Sequence, residues 1–109
     1  MVLRFSHIGV PTREKKEHEQ YEDLFNLYRT DASFSPFHIE FLRFRDRLLL
    51  PEILTVSSHV GMETDSIEEA LKMIDEVIVP IVELPDQRIC FVQKENIILE
   101  LIQKVGVEN

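Results

Sequence analysis

The sequence predicts an α+β fold built from two tandem βαβββ modules, and three observations carry that prediction. The pentapeptide Ser6-His7-Ile8-Gly9-Val10 returns as Ser58-His59-Val60-Gly61-Met62, 52 positions further on. Strand-like segments follow both copies, and a short amphipathic helix is legible after the second. At 109 residues the chain suits a single domain, with module one at about 1–55 and module two at about 56–105.

Residues 2–10 (VLRFSHIGV) read as a strand that Pro11 and Thr12 close. The charged stretch Arg13 to about Asp23 reads as a helix capped by Thr12. Tyr21, Leu24, Phe25 and Tyr28 keep helical spacing, so either that helix runs on or Phe25–Asp31 is already a strand. Ser33–Pro36 reads as a turn and His38–Phe44 (HIEFLRF) as a strand. Leu48–Leu54 is a short apolar run broken by Pro51, which places it at an edge or makes it begin late.

The pattern then restarts with a strand at Ser57–Glu63. Ser66-Ile67-Glu68-Glu69 has the form of a capping box, in which the first and last side chains satisfy free backbone N–H groups at a helix start. Ile67, Ala70, Leu71 and Ile74 supply the apolar stripe of that helix. Strands follow at Val77–Glu83, Ile89–Lys94 and Ile97–Lys104, with turns at Leu84-Pro85-Asp86 and Glu95-Asn96, and Gly106–Asn109 is expected to fray.

Laid over each other, the halves also match HIEFLRF (38–44) with RICFVQK (88–94), and Pro51–Leu54 with Leu99–Ile102. Side chains alternate along a strand, so His7 shares a face with Phe5 and Gly9, and His59 shares one with Gly61. The apolar residues between them are expected under the helix. The histidines then face away from it, where the glycines leave room. Leu99 and Leu101 would likewise face the helix and turn Glu100 toward the histidine side. Two imidazoles with a carboxylate suit a divalent metal.

Composition narrows the function classes. With 44% hydrophobic and 29% charged residues the chain is an ordinary globular one rather than a disordered one. Twelve basic residues against 20 acidic ones give a net charge of −8, which repels phosphate backbones, so no nucleic-acid partner is expected. The opening residues read as an amphipathic strand rather than a secretory leader, and no apolar window is long enough for a membrane span. The lone Cys90 forms no internal disulfide, so a reducing, cytoplasmic location is expected. Cys90 also lacks an evident activating base, and His18 and His38 read as an exposed and a structural histidine.

The segments SHIGV, SHVGMETDSIEEAL and IILELI, in this order and duplicated, resemble the vicinal oxygen chelate superfamily. That group includes glyoxalase I, methylmalonyl-CoA epimerase, fosfomycin- and bleomycin-resistance proteins and extradiol dioxygenases. The resemblance covers nearly the whole chain and implies a single glyoxalase-like domain, 1–109, whose paired modules roll a mixed sheet into a partly closed cup with helices outside. It implies metal ligands on the first and last strands of each module, which by position are His7, Glu52, His59 and Glu100. Glu52 departs from the pattern, because it follows Pro51 and lies only seven positions before His59. Glu40 is the nearest substitute.

The choice of carboxylate bears on the chemistry. Members with two His and two Glu bind Zn, Ni or Co and shift protons next to a carbonyl. Here that implies a metal-dependent lyase or isomerase acting on a small oxygenated substrate, with Glu100 or Glu52 moving the proton. Members with two His and one Glu resemble iron dioxygenases or the manganese site of fosfomycin resistance. A non-catalytic protein that sequesters a ligand, of the bleomycin-resistance type, is the alternative. The resemblance further implies a homodimer, with modules paired either within a chain or between chains.

Overall fold

The computed structural model describes residues 1–46 and 49–105. Leu48, where the apolar run was expected to start, and the expected frayed end Gly106–Asn109 lie outside those residues. The chain divides into two units: His7–His59, and Met1–Ser6 together with Val60 onward. Among the described residues no helix is long and apolar enough to cross a membrane.

The second of these units follows the sequence closely. Its elements are β5 (His59–Thr64, entered at Val60), α2 (Ile67–Leu71), β6 (Glu76–Glu83), β7 (Gln87–Lys94) and β8 (Ile97–Lys104). Ser66 caps α2 as expected, its hydroxyl accepting from the Glu69 N–H at 3.1 Å. Ile67 and Ala70 of α2 bury against Cys90, Val92 and Leu101, with Met62 and Leu99 packed around them. Strand alternation therefore turns Glu100 to the face away from the helix. The strand order is β5-β8-β7-β6, in which β5 and β8 run parallel with Gly61 opposite Glu100, and the other pairs are antiparallel.

The turns of this unit have local causes. Glu95 and Asn96 both take left-handed backbone (φ 53° and 67°), as a two-residue hairpin turn of mirror-image type requires. Asp75 secures that turn by accepting from the Glu95 N–H at 3.0 Å. Between β6 and β7 the register shifts around Val79 and Val82, and Pro80, which has no N–H to give a ladder, lies in that break.

The His7–His59 unit contains most of β1 (Leu3–Pro11), β2 (Gln20–Glu22), β3 (Leu27–Arg29), a 3₁₀ turn at Ala32–Phe34, β4 (Ile39–Phe44) and α1 (Glu52–Val56). Its order is β2-β3-β4-β1, again one parallel pair followed by antiparallel ones, with Gly9 of β1 opposite Glu40 of β4. The α+β class with mixed parallel and antiparallel pairing is thus as the sequence predicts.

Two expected elements of module one are corrected. No helix forms over Arg13–Asp23; the chain loops through 12–19, turns at His18 (φ 63°) and enters β2. That stretch has no apolar stripe to bury, and its side chains are held individually instead. Lys16 lies 4.4 Å over the Phe41 ring, and Glu19 accepts two bonds from Arg43 at 2.9 and 2.7 Å. The apolar run broken by Pro51 is not a strand from Glu52 onward but the helix α1, which buries Leu54 and Thr55. Pro51 stands just before its first turn, where the missing N–H costs nothing.

These corrections re-register the repeat. β4 pairs with β1 as β8 pairs with β5, so HIEFLRF corresponds to the final strand of module two and not to RICFVQK. Pro51–Leu54 has no counterpart there. Glu40 and Glu100 now occupy equivalent positions, each opposite the glycine two residues beyond a repeated histidine.

Candidate metal centre

Three side chains that offer metal-ligand atoms come together in the His7–His59 unit. His7 stands on β1, Glu40 on the parallel neighbour β4, and His59 opens β5. Alternation gives His7 and Gly9 one face of β1, and the Gly9–Glu40 register gives Glu40 the same face. One ligand atom from each of His7, Glu40 and His59 lies within 4.8 Å of the others. The His7 Nε2 is 3.5 Å from Glu40 Oε1, and the two imidazoles meet edge to face with centroids 5.6 Å apart.

The group is largely removed from water. His59 is 3% exposed, and the side chains of His7 and Glu40 are 12% and 17% exposed. Burying a carboxylate beside two imidazoles is costly unless its charge is met, and a cation meets it. Gly9 sets the depth of the cradle. A Cβ built there would come under 3.0 Å from three ring atoms of His59, so the imidazole occupies the space a side chain would take. The room beside the histidines expected from the His-x-Gly pattern is, at Gly9, filled by the other histidine.

Of the residues nominated from sequence, His7 and His59 are in this group. Glu52 is exposed at the start of α1 and is not. Glu100 is half-buried on β8 in the other unit, opposite Gly61 and Phe91. Glu40, the substitute that the sequence offers for Glu52, is in the group. Its signal was present in the sequence, since Ile39-Glu40-Phe41 and Leu99-Glu100-Leu101 share an apolar-Glu-apolar pattern. The likeness of HIEFLRF to RICFVQK, which sets Cys90 against Glu40, conceals it.

The donor set fits a divalent metal by its chemistry. Two imidazole nitrogens and a carboxylate oxygen suit Zn, Ni, Co, Mn or Fe(II). The outer face of the same strands carries different chemistry. There the Arg43 guanidinium lies over the Tyr28 ring at 4.5 Å and pairs with Glu19, and that hydrogen-bonded pairing lowers the Glu19 carboxyl to about 2.

No family model and no curated protein matches the chain. Among solved structures it shares its fold with methylmalonyl-CoA epimerase from Mycobacterium tuberculosis, at a TM-score of 0.62 and 10% sequence identity. The match covers 94% of this chain and 89% of that one. At 10% identity this likeness is one of fold, and methylmalonyl-CoA epimerase is among the proteins that the sequence resemblance names.

Proposed function

We propose that this chain is a metal-dependent isomerase or lyase of the vicinal oxygen chelate superfamily, acting on a small carbonyl-bearing substrate. The observation that carries the reading is the convergence of His7, Glu40 and His59 within 4.8 Å. The fold shared with an epimerase supports the reaction class. A divalent metal, when bound, polarises a substrate oxygen and makes the adjacent C–H more acidic.

The chain's own residues have distinct tasks in this reading. His7 and His59 bind the metal as neutral imidazoles, and their burial keeps bulk water from competing. Glu40 supplies the negative charge that favours a divalent cation. Glu100 is assigned the proton transfer, supported by its equivalence to Glu40 in the re-registered repeat and by the resemblance. Glu52, exposed on α1, has no task here.

Protein purified without a histidine tag is expected to hold about one divalent ion per chain. His7→Ala and His59→Ala should lose it, and Glu40→Gln should hold it more weakly. Incorporation of solvent deuterium next to the carbonyl of candidate substrates then reads the proton transfer. Glu100→Gln should suppress that incorporation by about a hundredfold or more, as loss of a general base does. Metal absent from the parent, or retained in both histidine variants, would refute the proposal. A metal-loaded parent that binds ligands without deuterium exchange would instead favour sequestration.

A further inference from the structure

On the face that carries Glu40, Arg29 has no ion pair or side-chain hydrogen bond among the described residues. In the β3/β4 ladder Leu27 pairs with Phe44, Tyr28 with Arg43, and Arg29 with Leu42. Tyr28 and Arg43 share the outer face with Phe41, and there they contact each other, Lys16 and Glu19. Arg29 therefore shares the opposite face with Leu42 and Glu40. It stands diagonal to Glu40, and such neighbours lie about 7–8 Å apart, within reach of a long side chain.

Arg29 is exposed, while its face neighbours Leu27 and Leu42 are buried (4% and 6% exposed). Arg43 and Arg88 are tied to carboxylates, Arg43 to Glu19 and Arg88 to Glu68 and Glu83. Among the described residues Arg29 has no such ion pair or side-chain hydrogen bond. The nearby Asp31 feels its charge, but that carboxylate is committed to the Ser33 N–H and hydroxyl at 2.8 and 2.7 Å. The guanidinium is thus a planar, two-pronged donor on the face that carries Glu40, with apolar neighbours and no carboxylate bound to it among the described residues.

We propose that Arg29 anchors a substrate carboxylate, which makes the substrate class short-chain acids carrying a carbonyl a few bonds from the carboxylate. The inference rests on the metal-centre reading, since it is the carbonyl end that the metal would take. Arg29 is a specificity-determining residue here, fixing which carbonyl compounds are held in register with the site.

The test uses acetoacetate and its neutral methyl ester, which differ only in the carboxylate, titrated calorimetrically into the zinc-loaded full chain. The parent should prefer the acid. Arg29→Gln should weaken acid binding by about tenfold or more, the worth of a charge-assisted hydrogen-bonded contact, and leave ester binding and zinc content unchanged. Arg29→Lys, which keeps the charge and loses the fork, should fall between, and it carries the test if the glutamine variant fails to fold. Arg45→Gln is the control for bulk charge, because Arg45 lies over the Tyr21 ring, which contacts Tyr28 on the opposite face. No acid preference in the parent, its survival in both Arg29 variants, or an equal loss in Arg45→Gln would overturn the proposal. Failure of the metal-centre reading shows separately, as zinc content that His7→Ala and His59→Ala do not change.

Discussion

Gly9 is the residue on which the proposed metal centre turns, because the His59 ring lies where a side chain would be. Gly9→Ala should displace that ring with little effect on β1, whose backbone needs no special φ there. Metal affinity is expected to fall by about tenfold to a hundredfold, as it does when the groups orienting a ligand are disturbed. Competition against a chromophoric chelator reads the affinity, and unchanged far-ultraviolet circular dichroism shows that the fold persists. Undiminished affinity in Gly9→Ala would mean that His59 does not hold the ion. At this scale the sequence was a good guide to the histidines, since His-x-Gly occurs twice in strand context. It was a poorer guide to the carboxylate. A strand glutamate between apolar neighbours looks the same wherever it lies, and only the β1/β4 register puts Glu40 opposite Gly9.

Elements were legible where a local motif fixed them and illegible where long-range contacts did. The Ser66 cap, the apolar stripe of α2 and the Glu95-Asn96 turn all depend on neighbours in sequence. Ser66→Ala should accordingly cost about 1 kcal/mol in urea unfolding, the usual worth of a side-chain cap, and a negligible change would deny the cap a role in stability. The 12–19 loop has the composition of a helix but is held by Lys16 over Phe41 and by Glu19 on Arg43, the latter 24 residues away in sequence. That tie makes the loop pH-sensitive. Hydrogen bonds from Arg43 lower the Glu19 carboxyl from 4.5 to about 2 in the folded state. A depressed folded value adds stability above the unfolded value, and this is lost as pH falls through the folded one. Glu19→Gln should therefore be less stable than the parent at neutral pH, with the gap closing between pH 4.5 and about 2. Chemical denaturation at several pH values checks this, and a gap independent of pH would contradict it.

On the scale of the whole molecule, one strand plan is written twice with different accessories. Both units set a parallel pair beside two antiparallel neighbours, and both place a glutamate opposite the His-x-Gly glycine. One covers its sheet with α2 and the other with a loop of individually tethered side chains. All three grouped ligand residues belong to the His7–His59 unit, so metal binding should stabilise the strands that carry them in particular. A ligand that binds only the folded state at a hundred times its dissociation constant adds about 2.7 kcal/mol to stability. Zinc should therefore raise the thermal midpoint, a chelator should reverse the rise, and His7→Ala should show neither effect. Hydrogen exchange locates the change: amides of Ile8–Pro11 and Ile39–Phe44, the paired segments of β1 and β4, should gain protection on metal loading. Those of β6 and β7, which carry none of the three ligands, should gain much less. Protection rising equally in all strands would point to non-specific association of zinc with an acidic chain of net charge −8, and not to a site at the parallel β1/β4 pair.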